Sequence, residues 1–180
     1  PDWLRGLGAE PMYLGLDLRG GIHVLIDVDM EAAITKAVER HAGNIRTELR
    51  REKIRYITVK QQGNGVDVRF RDAATRDRAE EVLGGEFREL GITTRDEDGD
   101  FFVRVFMPPD EERTVKKLAL EQNITTLRNR VNALGVAEPV IQQQGERRIV
   151  VELPGVQDPG KVKDLLGATA TLEYRLAHGD

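Results

Sequence analysis

The order in which strand-like and helix-like periodicities follow one another is the feature that most constrains the fold of this chain. Residues 22–28 alternate apolar and other side chains. Asp29 can cap the helix that follows, whose apolar residues keep helical spacing through about residue 52. When the assignment is continued to the C-terminus, the predicted elements follow the order βαββαβ twice. This repeat of about 80 residues is visible in the order of the elements and not in residue identity. The sequence therefore predicts an α+β fold of two ferredoxin-like modules, each with the split βαβ pattern.

Turn and cap residues set the predicted boundaries of these elements. We expect Asp72 to cap a second helix that Gly91 ends, and β-branched residues predict a strand over 54–62. The Gly-Asn-Gly run at 63–65 follows that strand, and its Asn-Gly pair predicts a tight hairpin because these residues tolerate positive φ. The longest predicted helix covers about 109–134.

Composition and charge exclude several classes of function. The 180 residues carry 27 Lys and Arg against 31 Asp and Glu, a formal charge of −4 that gives no global attraction to nucleic acid. The absence of cysteine excludes disulfides, thiol nucleophiles and cysteine zinc sites. No stretch approaches the roughly 20 apolar residues of a membrane-spanning helix.

The sequence contains no recognisable constellation of catalytic or metal-binding residues. The three histidines, His23, His41 and His178, lack the spacing of metal ligands. The acidic run 95–100 has the composition of a calcium loop but lacks the glutamate that closes one, so we interpret it as a solvated hairpin. The sequence therefore predicts neither an enzyme nor a bound cofactor or metal ion, and it favours a binding or scaffolding role.

Binding of RNA is a distant alternative. Ferredoxin-like folds include RNA-binding modules with aromatic residues on the sheet, and Phe101, Phe102 and Phe106 imitate that signature in part. Residues 30–60 contain eight basic and four acidic side chains, but no aromatic platform accompanies them. This alternative requires basic and aromatic side chains together on the open face of a sheet.

Four stretches of the chain resemble one family closely, and their shared order and spacing make the resemblance specific. In this order and spacing they resemble SecD, a family of bacterial protein-export membrane proteins. The resemblance extends over about residues 10–178, although 30–107 is similar only in element pattern and scattered residues. The stretches are 14–21 (Leu-Gly-Leu-Asp-Leu-Arg-Gly-Gly), 129–139, 148–155 and 166–175.

The resemblance implies a place and a set of partners for the chain. It implies the base of the large first periplasmic domain of a multi-pass inner-membrane protein, at the periplasmic face of the bacterial inner membrane. The implied partners are SecF, the SecYEG channel, YajC and unfolded preprotein, with no nucleic acid. Contact with the membrane would run only through transmembrane helices that this chain lacks. A head domain and the family's proton-carrying carboxylate would also lie outside it.

The resemblance also favours one domain organisation over the consecutive arrangement of two modules. Shorter family members run from a strand like 22–28 directly into a helix like 110–134. The region between would then be an inserted module of order αββαββ, a circular permutation of βαββαβ. The expected parts are an N-terminal segment at 1–11, a base module of 12–29 plus 108–180, and the inserted module at 30–107. The consecutive arrangement, which uses the same elements, stays open.

Seven residues of these stretches are candidate positions with a structural or an interaction role. Asp17 and Arg19 would project on the same side of an extended segment, as a docking point or as a local charge pair beside a glycine turn. On the long helix, hydrogen bonds that hold the helix in place are favoured over substrate contacts. The candidates are Asp17, Arg19, Gly20, Gly21, Arg128, Arg130 and Asn132.

Two mechanisms follow from the implied role in export. A sheet edge could hold an unfolded preprotein weakly by β-addition, or an apolar groove could do so. Alternatively, stiff modules could act as a scaffold that transmits motion without touching the substrate. The sequence alone does not choose between them.

Overall fold

The computed structural model describes residues 20–133, 135–136, 138–158, 160, 162–163 and 172–174 of the chain. Within these residues the fold is α+β, as predicted, with two antiparallel sheets and three helices. The elements are β1 (Gly21–Val28), α1 (Met30–Arg51), β2 (Thr58–Gln62), β3 (Gly65–Phe70), α2 (Ala73–Glu86), β4 (Gly91–Glu97), β5 (Asp100–Phe106), α3 (Pro109–Ala133), β6 (Val140–Gln144), β7 (Arg148–Pro154) and β8 (Leu172–Tyr174).

The chain divides into two compact units, each with one four-stranded sheet. The first unit contains the described residues up to Val28 and from Gln122, and its sheet A has the strand order β6-β7-β1-β8. The second unit is Asp29–Glu121, and its sheet B has the order β2-β3-β5-β4. Both sheets are compatible with ferredoxin-like modules. The α3 helix begins in the second unit and ends in the first.

In the second unit, strand alternation and two capped helices build the core. Val66, Val68 and Phe70 of β3 are buried against apolar side chains of α1 and α2. Asp29 caps α1, because its Oδ1 accepts a hydrogen bond from the Ala32 N–H at 2.8 Å. Asp72 caps α2 in the same way, with its Oδ1 2.8 Å from the Thr75 nitrogen, as the sequence predicted.

The strand predicted to begin at Ile54 begins at Thr58 instead, so that prediction was wrong at its start. The end of α1 continues into a cap in which Lys53 has a φ of 57°. Its N–H bonds to the Arg50 carbonyl at 3.1 Å, and the Ile54 N–H bonds to the Leu49 carbonyl at 2.8 Å. This is a Schellman cap, and Ile54 is buried as its apolar contact rather than as a strand residue.

The turn between β2 and β3 also differs from the prediction. Gly63, with a φ of 59°, supplies the positive φ, whereas Asn64 does not have one. The Asn64 side chain is used elsewhere, since it donates to the Met107 carbonyl at 3.0 Å and to Glu112 Oε1 at 2.7 Å. These bonds tie the hairpin to the start of α3, and this long-range role is not visible in the local sequence.

Gly91 was predicted to end the second helix, but it begins β4 while α2 ends at Glu86. The reason lies across the sheet, where Gly91 pairs with Phe106 of β5. A Cβ atom at Gly91 would lie 2.4 Å from the Phe106 ring, so only glycine fits beneath it. An aromatic ring that covers a glycine of an edge strand is a known way to stabilise such a strand.

In the first unit, β1 lies between two strands from the far end of the sequence. It pairs with β7 from Gly21–Pro154 to Asp27–Arg148, and with β8 through Ile26 and Tyr174. The buried apolar side chains of this unit include Ile26, Leu127, Val131, Ile149, Val151 and Leu153. Of the short helix predicted at 158–166, Val162 and Lys163 are helical, and the remainder of that prediction falls mostly outside the described residues.

The boundaries of the inserted module stay a prediction. In sheet B, β5 lies between β3 and β4, which is the place that β1 occupies between β7 and β8 in sheet A. A permuted αββαββ unit closed by its last strand has this arrangement, so the strand order is compatible with the permutation and does not by itself establish it.

His41 of α1 is a half-buried histidine of the second unit. Its Nδ1 is buried, and no hydrogen-bond partner for it occurs among the described residues. Burial lowers the pKa of His41 below 6.5, and Arg40 acts in the same direction, while Glu89 and Glu111 oppose the shift. The folded chain therefore disfavours the protonated imidazole.

Replacement of Lys53 by glycine should stabilise the second unit. A lysine at positive φ is strained, and glycine adopts this conformation without that cost. We expect Lys53→Gly to raise the free energy of unfolding by about 1 kcal/mol in urea titrations. The control is Arg55→Gly, an exposed position without positive φ, which should be neutral or destabilising. Equal destabilisation by both variants would contradict the Schellman cap.

The stability of the chain should depend on pH through His41. Because its pKa is lower in the folded state, the unfolded state binds the proton first, and stability falls as the pH drops through about 6.5. Between about pH 7.5 and about pH 5, His41→Gln should lose less thermal stability by circular dichroism than the unsubstituted chain. The control is Asn44→Gln, at an exposed position of the same helix without a titratable group, which should behave like the unsubstituted chain. If His41→Gln lost as much thermal stability over this pH range as the unsubstituted chain, the prediction would be contradicted.

Candidate functional site

Three of the four stretches that resemble the family meet at β1. The first stretch leads into β1, the third contains β7 and the fourth contains β8, and these two strands flank β1 in sheet A. Gly20 has a φ of 64°, and its carbonyl accepts a hydrogen bond from the Gly155 N–H at 2.9 Å. Gly21 faces Pro154 in the ladder. The glycine pair therefore joins the first stretch to the third.

The charged pair of the first stretch, Asp17 and Arg19, lies outside the described residues. Gly20 and Gly21 are exposed, and none of the described residues lies within 4 Å of a Cβ atom built on Gly20. The turn at Gly20 favours glycine for its positive φ. Whether the four residues also form a docking point stays a prediction.

The candidate residues on α3 occupy different environments. Arg128 and Asn132 are exposed, and in the part of the chain that the structure describes their side chains make no hydrogen bond or ion pair. Arg130 is half-buried and has an interaction partner. The Asn132 backbone carbonyl accepts a hydrogen bond from Gly135 at 3.0 Å at the end of the helix. The expectation that these residues hold the helix against the sheet and the loop that follows it stays a prediction.

The open face of sheet B carries a carboxylate held by two arginines, which sequence reasoning missed. Asp67 of β3 is only 6% exposed, although it faces away from the helices. Arg95 Nη2 lies 3.0 Å from Asp67 Oδ2, and Arg104 Nη1 lies 3.2 Å from Asp67 Oδ1. Arg95 also lies over the Phe102 ring, 4.6 Å from its centroid. We call Asp67, Arg95, Arg104 and Phe102 the Asp67 cluster.

The Asp67 cluster ties three strands together, because its members come from β3, β4 and β5. A buried carboxylate is costly unless charged hydrogen bonds satisfy it, and two guanidinium groups do so here. The signal in the sequence was a charged residue at a position between the buried Val66 and Val68. That signal is ambiguous alone, because an aspartate on the second face of a strand is usually solvated.

Basic and aromatic residues do share this face, which the RNA alternative requires, but they are engaged with each other. The Phe102 ring is covered by Arg95, and the Phe106 ring packs over Gly91. The charges of Arg95 and Arg104 are directed at Asp67. Stacking of bases needs a free aromatic face, so this arrangement does not favour nucleic acid.

The outer side of β6 forms an unprotected sheet edge. No other described strand pairs with that side, and most of its side chains are exposed, including Val140 at 38%. Its sequence Val-Ile-Gln-Gln-Gln contains no charge. In contrast, the edge strand β4 carries Arg95, Asp96 and Glu97, and the edge strand β2 carries Lys60. Charged residues on edge strands discourage pairing with other chains, and β6 has none.

Two further properties concern the part of the chain that is described. There, no three histidine or carboxylate side chains are grouped closely enough to hold a metal ion. The described helices also include none that is both long enough and apolar enough to cross a membrane.

Replacement of Asp67 should destabilise the second unit more than loss of an exposed ion pair. Asp67→Asn leaves two guanidinium groups without their shared carboxylate, and we expect a loss of about 2 kcal/mol in urea unfolding. The matched control is Asp100→Asn, which removes the more exposed ion pair with Arg69 at 2.8 Å and should cost less than about 1 kcal/mol. Similar losses in both variants would show that the Asp67 cluster adds no special stability.

Two families match separate segments of the chain. Residues 120–179 match the family described as protein translocase subunit SecDF, P1 domain, N-terminal. Residues 6–32 match the SecD/SecF GG motif, which includes the Gly20-Gly21 pair. The region between these matches, 33–119, falls within the second unit, Asp29–Glu121.

Relatives align along nearly the whole chain. Protein translocase subunit SecD of Escherichia coli (strain K12) is 48% identical over 99% of this chain and 29% of its own length. SecD of Haemophilus influenzae is 44% identical over 99% of this chain and 29% of its own length. SecD of Pseudomonas aeruginosa is 42% identical over 98% of this chain and 28% of its own length.

The chain thus spans less than a third of the length of these relatives. All three are named as protein translocase subunits, and the expectation that the chain is not an enzyme stays a prediction. The resemblance inferred from the four stretches is confirmed by both family matches and by these relatives. The chain belongs to the SecD family of protein translocase subunits.

Proposed function

We propose that this chain is the base of the first periplasmic domain of a SecD subunit, and that it assists the export of unfolded preproteins driven by the proton motive force. The observation that carries the proposal is 48% identity to the Escherichia coli subunit over 99% of the chain. The partners are SecF, the SecYEG channel, YajC and the preprotein itself. The location is the periplasmic face of the inner membrane, reached through membrane helices outside this chain.

The base works in one of two ways, and weak holding of substrate is favoured over pure transmission of motion. The β6 edge supports holding, because it carries no charge and no other strand among the described residues pairs with its outer side, while an unfolded chain offers unpaired backbone groups. Holding must be weak, since an exported chain has to be released. Affinities on the order of millimolar to micromolar, about −4 to −8 kcal/mol, meet this requirement.

The proposed organisation is a base module of 12–29 plus 108–180 with an inserted module at 30–107. Two observations support it. The two family matches leave 33–119 between them, and sheet B is built entirely from strands of that region. In this organisation the seven candidate residues Asp17, Arg19, Gly20, Gly21, Arg128, Arg130 and Asn132 all belong to the base.

A chimaera tests the proposed function. The matching segment of Escherichia coli SecD is replaced by this chain, and preprotein processing is followed by pulse-chase in cells depleted of the native subunit. We expect export to be restored to at least about half of the native rate, given 48% identity. A control chimaera with Val151→Asp, in the fully buried core, should fail. A chimaera that accumulates in the membrane at native level without supporting export would refute the proposal.

A further inference from the structure

The outer edge of β6 has the properties of a binding site for an extended polypeptide. On its inner side, β6 pairs with β7 from Val140–Glu152 to Gln144–Arg148. In an antiparallel strand the N–H and C=O groups of alternate residues point to opposite sides, so roughly two or three residues direct both groups outward. An incoming strand can satisfy these groups by β-addition.

Charge distinguishes this edge from the two edge strands of sheet B. Lys60 on β2 and the charged residues 95–97 on β4 make pairing of a foreign strand along those edges costly. The β6 edge instead offers the amides of 142–144 and the exposed apolar side chain of Val140. Its complementary partner is an extended segment without charges, which can pair its backbone and cover Val140.

We infer that the outer edge of β6, Val140–Gln144, binds uncharged, extended segments of an unfolded polypeptide by β-addition. This inference rests on the proposed function, because it names the surface on which the base holds a preprotein. A second copy of this chain is a weaker occupant. Five residues span about 17 Å, and pairing over that length buries far less than the roughly 1,000 Å² that a stable dimer needs. Transient holding needs no such area.

The test is an NMR titration of the isotope-labelled chain with an unfolded secretory preprotein, with its folded form as the control. We expect shifts in β6 and β7 with the unfolded form alone. Two edge variants are then compared, Gln142→Lys with Gln144→Lys, and Gln142→Glu with Gln144→Glu. Both should weaken binding by about tenfold or more, because charge of either sign disfavours pairing at the edge.

The matched control is Thr93→Lys, an exposed position on the edge strand β4, which should leave binding unchanged. The dispersion of each variant's own spectrum reports whether it folds, and Gln142→Thr alone provides an uncharged variant that keeps binding. If only the lysine pair or only the glutamate pair weakens binding, the binding is explained by electrostatic attraction, and the inference of β-addition is wrong. If neither pair of substitutions matters, or if β6 shifts with the concentration of the chain itself, the inference is wrong.

The failures of the two proposals are distinguishable. If the native chimaera supports export but the β6 edge shows no binding, the inference on the edge fails while the proposed function stands. If the chimaera does not support export, the proposed function fails whatever the edge binds. Export by a chimaera with Gln142→Lys and Gln144→Lys should be slower than by the unsubstituted chimaera.

Discussion

The antiparallel pairing of β1 with β7 is the interaction on which the first unit depends. It joins Gly21–Val28 to Arg148–Pro154, more than a hundred residues later, and it brings Gly20 within hydrogen-bond distance of Gly155. Pairing of strands so far apart in sequence carries a large entropic cost of loop closure, but this cost grows slowly with the number of residues in the loop. The intervening residues Asp29–Glu121 have their own sheet and core, so the connection is largely folded and is not an open loop.

The central place of β1 in sheet A leaves β6 and β8 as the two edge strands. Both sides of β1 are taken by β7 and β8, and β6 pairs with the far side of β7. Its outer backbone groups remain unpaired within the described residues, and its uncharged sequence does nothing to block a partner. Under the proposed function, an edge that would be a liability elsewhere is a candidate surface for substrate.

The charged and aromatic side chains on the open face of sheet B are engaged with one another. On sheet B, Arg95 and Arg104 converge on Asp67, and Arg95 covers Phe102, so charge and aromatic surface are satisfied internally. This pairing makes a face with a basic and aromatic composition poorly suited to bases or phosphates. Composition of a face is therefore a weak guide to its partners unless the contacts among its own side chains are known.

The sequence by itself determined the α+β class, the helix caps at Asp29 and Asp72 and, through four stretches, the family. These features depend on periodicity and on contacts within a few residues of each other. The tertiary structure alone decided the need for glycine at Gly91, the burial of Asp67 and the place of β6 at an edge. Each of these depends on which strands become neighbours, and pairing between distant segments leaves no local signal in the chain.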